Sequence, residues 1–358
     1  MSSENMFEDQ NWQHSGNYGN FDDLVTKEAK KIFSRFSLAL FLYLAISYAV
    51  IFAIDIILSL VLGVTIGPEA AEEILFNPVY QIIISTLPMY VVSFPFLCLF
   101  VKGMPSRKRL KRKLPLLELF YTFLVAEAFM MVGNLIGQSL NSSISSIFGI
   151  EIENSTADLI TSAPIWLIFI LVVICAPIVE ELIFRKLMID KLSRYGDLVA
   201  IITSAVAFGF FHGNFYQFFY ASFLGLLLGY LYCKSGNIKY TIIFHMLINF
   251  LGSVAVMPLM EYEEILLTGS VPETGAALRE FIIAIMAMTS YAVIQYTMVI
   301  SGIVVFINAI KYRRISIKPN QEITIPRGKT PSAVLGNVGT ILFLVLSAII
   351  FAVNMFLG

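Results

Sequence analysis

An all-α, polytopic transmembrane helix bundle of about eight to nine spans is the fold class this sequence predicts, on three observations. The chain is 58% hydrophobic and only 14% charged, with a mean hydropathy of +0.80, whereas soluble domains carry about a quarter charged residues. Apolar runs of the ~20 residues needed to cross a bilayer recur along its length. The loops between those runs alternate in charge, basic then acidic, as expected when cationic loops stay on the cytoplasmic side. A net charge of −1 gives no general attraction to nucleic acid.

Met1 to Asp22 is polar and acidic, and predicts a mobile tail without a cleaved signal peptide. After it, Leu24, Val25, Ile32, Phe33 and Phe36 share one helical face while Lys27, Lys30 and Lys31 lie elsewhere. That pattern fits either a short interfacial helix or a plain lead-in to the first span. Nine spans are expected, at 38–64, 80–101, 116–136, 164–188, 198–212, 215–233, 240–256, 281–310 and 334–357. The fifth is short unless neighbouring helices shield its ends. Basic residues precede the first span (Lys27 to Arg35) and follow the second (Arg107 to Lys113), fourth (Lys186, Lys191, Arg194), sixth (Lys234, Lys239) and eighth (Lys311, Arg313, Arg314). Acidic residues follow the first (Glu69, Glu72, Glu73), third (Glu151, Glu153, Asp158) and seventh (Glu261, Glu263, Glu264). The alternation places the N-terminus in the cytoplasm and, with nine crossings, the C-terminus outside a cell membrane.

The chain divides into a tail at 1–36, N-terminal spans at 37–163, a core at 164–256 and further spans at 257–358 with a polar linker at 312–333. Arg107 to Lys113 reads as a topology determinant, with anionic-lipid binding as the alternative. Arg327-Gly328-Lys329-Thr330 lacks the upstream glycine and the preceding strand of a phosphate loop, which excludes nucleotide binding there. Cys98, Cys175 and Cys233 are scattered through apolar runs and read as packing residues.

The fourth span carries Glu180, Glu181 and Arg185 within an apolar run. Charges at membrane depth cost at least about 2.5 kcal/mol each, so they mark function or are paired. Glu181 and Arg185 are four apart, acid first, the favourable order for a helical ion pair. Glu180 points about 100° away and has no cation four residues along, so it is the chemically available carboxylate. The fifth span ends in His212, and the seventh places His245 and Asn249 on one face. If the fourth helix continues to about Ser193, Glu180 lies ~20 Å from that end, His212 ~21 Å beyond Leu198, and His245 with Asn249 ~10–20 Å beyond Asn237, so all share a plane.

Glu180-Glu181-x-x-x-Arg185, Phe208-x-x-x-His212 and His245-x-x-x-Asn249, in this order and setting, resemble the three-motif signature of the CAAX protease and bacteriocin-processing family of intramembrane endopeptidases, a likeness covering about a quarter of the chain. The resemblance implies hydrolysis of a peptide bond in a membrane-associated peptide or protein, at a polar cavity within the bilayer. It implies Glu180 and His212 as the pair that holds and deprotonates water, and His245 and Asn249 as oxyanion donors. Glu181 and Arg185 would support the site, and Phe208 reads as packing. No cofactor is expected. The alternative is zinc held by Glu180, His212 and His245, which leaves a fourth position for water. Two other readings stay open: a non-enzymatic bacteriocin-immunity or scaffold protein, and a small transporter using Asp55, Glu118 or Glu127. The pairs Gly133/Gly137 and Gly225/Gly229 predict close helix packing.

Overall fold

The computed structural model describes the backbone of residues 5–260, 275–317 and 321–356, and side chains from residue 21 onward within those stretches. All of its regular elements are helices. The acidic group Glu261, Glu263 and Glu264, and Pro319 of the linker, lie outside the described residues.

No proline occurs before Pro68, and one unbroken helix, α1, runs Asn5–Thr65. The expected tail is therefore helical from Asn5, and of the two readings of residues 24–36 the structure has the helical lead-in, continuous with the first span. Then follow α2 (Pro68–Leu75), α3 (Pro78–Phe100), α4 (Leu116–Phe148), α5 (Ser155–Ser162), α6 (Ile165–Tyr195), α7 (Asp197–Phe211), α8 (Phe215–Ser235), α9 (Ile238–Gly252), α10 (Gly275–Lys311), α11 (Thr330–Val334) and α12 (Val338–Phe356). Eight helices among the described residues are long and apolar enough to cross a membrane, and α7 is the short exception at 15 residues. This is a multi-pass membrane protein of eight candidate spans, and α7 is the fifth of the nine expected runs, the one already short in the sequence.

The ends of α7 explain why it can be short. Asp197, at its start, binds Arg109 at 2.7 Å, while the turn after its end accepts a hydrogen bond from Asn354 of α12 at the Gly213 carbonyl, 3.1 Å. Both ends are thus covered by other elements. Gly213, at φ 72°, makes the reversal that starts α8 antiparallel to α7.

One end of the bundle gathers the basic segments. Arg35 donates to the Phe100 and Lys102 carbonyls. The segment before α4 is strapped across the same end: Arg107 N–H donates to Asp190 O and Arg112 N–H to Ser235 O, each at 2.7 Å. Arg109 contacts both Asp190 and Asp197. Its side chain is buried and paired, so it fastens α6, α7 and α8 together rather than facing lipid headgroups. The linker joins this end through Arg194 and Glu322, 2.8 Å apart.

Three of the four predicted glycines sit where helices touch backbone to backbone, and Gly229 packs on the Ile201 and Ile189 side chains. Gly133 and Gly137 of α4 lie against Tyr220 and Phe215 of α8, and Gly225 of α8 lies against Ala205 of α7. A Cβ on Gly133 would stand 2.5 Å from the Tyr220 Cα. Gly133→Leu is therefore expected to lower the thermal midpoint of the detergent-solubilised chain, with a cost of about 1–3 kcal/mol from overpacking. Gly252→Ala, where a Cβ would meet only open space, is expected to leave the midpoint within a degree or two, on the order of the usual ±0.5 kcal/mol of an uncrowded position.

Candidate active site

The site begins with the shape of α6. It continues to Tyr195, as the depth argument required. It is not uniform: Phe169–Cys175 and Leu182–Ile189 are wound as π-helix, with an α-helical stretch Ala176–Glu181 between them. In the π register each N–H bonds five residues back, as Ala176 does to the Leu171 carbonyl. The next N–H would serve Val172, but residue 177 is proline and has none. The side-chain amide of Asn249 fills that vacancy, donating to Val172 O at 2.9 Å. A proline three residues before Glu180 thus creates the backbone acceptor that joins α9 to α6.

Glu181 and Arg185 are fully buried, Oε2 and Nε 3.1 Å apart. The contact is an ion pair lying off the N–H axis rather than an aligned hydrogen bond. The guanidinium carbon lies 4.7 Å from the centroid of the Phe208 ring, within cation–π range. Phe208 is itself walled by Phe184 at 5.0 Å, His212 at 4.8 Å and His245 at 5.7 Å. It packs, as expected, and both His212 and His245 rest against its ring.

His245 bridges the two glutamates. Its Nδ1 is 3.0 Å from Glu181 Oε1, and its Nε2 is 3.6 Å from Glu180 Oε2. A carboxylate ionised beside Arg185 only accepts hydrogen bonds, so Nδ1 carries the proton and Nε2 is the nitrogen turned toward Glu180. Glu181 therefore orients His245 as well as pairing with Arg185. Glu180 keeps partial access, with 16% of its side chain exposed. His212, at the end of α7, faces the Phe208 carbonyl with Nδ1 at 2.8 Å. A carbonyl only accepts, so this fixes the same tautomer and leaves Nε2 as the free lone pair.

The residues singled out in the sequence thus come to one place, but in a different arrangement from the expected one. The imidazole at Glu180 is His245; no ion-pair contact joins Glu180 to His212 among the described residues. Asn249 uses one amide N–H on Val172. No three His, Cys, Asp or Glu side chains among the described residues stand together so as to hold a metal ion, and both ring nitrogens of His245 already face carboxylates. Sequence reasoning missed Tyr43 of α1, Tyr90 of α3 and Tyr220 of α8, all within electrostatic reach of Glu180. No local spacing links them to α6. The other membrane-depth acids lie apart: Asp55 accepts from the Tyr80 hydroxyl, Glu118 pairs with Lys234 at 2.7 Å, and Glu127 is buried with Oε1 unpartnered.

Removing Arg185 alone leaves Glu181 as an uncompensated buried charge. Arg185→Met is expected to cost about 3–5 kcal/mol of stability, read as lost folded protein in detergent. Glu180→Gln, which removes no cation's partner, is expected to fold like the parent chain.

Comparison with known proteins falls on the same elements. Residues 162–251 match the model of the family described as type II CAAX prenyl endopeptidase Rce1-like. The chain is 31% identical over 137 residues to YdiL of Bacillus subtilis (strain 168), named as a candidate membrane peptidase. That match covers 36% of this chain and 55% of YdiL, about half of the relative's length. No solved structure matches. Between residues 162 and 251 the chain is therefore similar to the Rce1-like endopeptidases, over the very helices that supply Glu180, Glu181, Arg185, His212, His245 and Asn249.

Proposed function

We propose that this chain is an intramembrane endopeptidase that cleaves a peptide or protein at the membrane by adding water to a peptide bond without a metal. The observation that carries the reading is the His245 imidazole clamped between Glu181 and Glu180 at membrane depth. A structural histidine needs one partner; this one has a tautomer fixed on one side and a partly accessible carboxylate on the other.

In the proposed reaction Glu180 takes a proton from water, and the second water hydrogen points to the lone pair on His212 Nε2. The water oxygen bonds to the scissile carbonyl carbon, whose oxygen gains the negative charge. Donors fixed beforehand stabilise such an oxyanion strongly, because they need no reorganisation. The remaining N–H of Asn249 is the donor proposed for it, while His245, its one N–H held by Glu181, does not donate to it in this tautomer. The C–N bond then breaks as the proton held by Glu180 passes to the leaving nitrogen. Arg185 keeps Glu181 ionised and so preserves the orientation of His245.

The orientation proposed has the basic end in the cytoplasm, the N-terminus inside and the C-terminus outside. The contacts of α7 with opposite ends of the bundle support it, because a traversing α7 restores an odd number of crossings. A cysteine introduced at exposed Glu73 is expected to react with a membrane-impermeant thiol reagent in intact cells, and one at exposed Lys108 only after the cells are opened.

The chemistry is tested by reconstituting the purified chain into vesicles with a library of membrane-anchored peptides and reading new termini by mass spectrometry. Cleavage is expected to fall about 10²–10⁴-fold in Glu180→Gln, the usual range for loss of a general base, and to survive a strong chelator. Equal cleavage by parent and variant would overturn the role of Glu180, and loss with chelator that zinc restores would assign a metal instead.

A further inference from the structure

On another face of the bundle a cavity of about 890 Å³ opens between α4, α8 and α10. Its walls are mostly apolar, including Leu117, Val125 and Phe129 of α4, Leu227 of α8 and Phe306 of α10. From Leu117 to Phe129 the trough runs ~18 Å along α4 at 1.5 Å per residue. One leaflet of a ~30 Å hydrocarbon core is ~15 Å deep, so the trough accommodates lipid chains from one leaflet.

Its mouth lies at the basic end, where Lys234 and Arg314 line it beside Tyr230 and Tyr312. Glu118 neutralises Lys234 at 2.7 Å. Arg314 is then the surplus charge: it is exposed, its guanidinium 5.7 Å from the Tyr312 ring, and Lys311 lies over the same ring at 5.5 Å. An apolar trough one leaflet deep with a cation at its wet rim has the polarity of a lipid whose headgroup is negative. Lipid chains alone would fill the trough without selecting among headgroups; the rim cation supplies the selection.

We propose that this trough binds one anionic phospholipid from the leaflet at the basic end, with its chains along α4 and its phosphate at Arg314. Arg314 and α10 lie outside residues 162–251, whereas Leu227, Tyr230 and Lys234 of α8 lie within them, so the site sits where α10 meets the endopeptidase-like segment.

Native mass spectrometry of the detergent-purified full chain, given equal amounts of phosphatidylglycerol and phosphatidylcholine with identical chains, tests this. Phosphatidylglycerol is expected to be retained about five-fold over phosphatidylcholine, the contribution of one basic residue near an anionic headgroup. Arg314→Gln is expected to abolish that preference without lowering phosphatidylcholine retention, and Arg327→Gln, an exposed cation away from the trough, to preserve it. A photoactivatable phosphatidylglycerol should crosslink to α4, α8 and α10. Equal retention of both lipids by the parent chain, as a neutral acyl or isoprenyl occupant would produce, overturns the proposal. So does a preference unchanged in Arg314→Gln, or crosslinking confined to other helices.

Discussion

A guanidinium and a carboxylate buried together inside a membrane bundle are the constraint on which the rest of this structure depends. Neither Glu181 nor Arg185 reaches solvent, and each would be untenable without the other. The pair needs more than its own contact. Phe208 offers its face to the guanidinium, and His245 donates to the carboxylate oxygen that Arg185 does not meet. These two requirements recruit α7 and α9 to the same point on α6. The position of His245 follows from the needs of a buried charge, and its free nitrogen then faces Glu180, the one acid in the group without a cation of its own.

The second constraint is backbone. The proline at 177 removes an N–H from a helix already wound in the π register, and Asn249 closes the gap. π-helical stretches are rare and frequent at functional sites, because they redirect side chains and expose carbonyls within an otherwise closed helix. Here they flank the short α-helical stretch holding both glutamates. At the basic end Arg109, Asp190 and Asp197 fasten the turn between α6 and α7, so the histidine at the far end of α7 is held by contacts about 20 Å away along the helix.

What was legible in the sequence was local. The i, i+4 spacing of Glu181 and Arg185 announced their pairing, small residues in α4 and α8 announced close contact, and the order of the motifs announced the endopeptidase-like segment. The Glu181–His245 contact joins residues 64 positions apart, and no periodicity reports it. Periodicity also placed Asn249 on the face of His245 correctly, yet could not show that Pro177 had prepared an acceptor for its amide. Within the basic run Arg107–Lys113, the pairing of Arg107 and Arg109 with Asp190 and Asp197 is invisible in the sequence because those partners are distant along the chain. Polar composition, with Gly16 and Gly19, suggests a tail before Asp23, yet no proline interrupts the chain there and α1 starts at Asn5.

The most direct test of the central claim, that Glu180 is the chemically active member of a group whose other charges hold it in place, is a comparison of protein and peptide termini in cells. One culture expresses the intact chain and the other Glu180→Gln, at equal membrane abundance. The account predicts new termini with the intact chain that vanish with the variant. Identical termini in the two cultures, with the cellular phenotype unchanged, would contradict it and leave the group as a structural device.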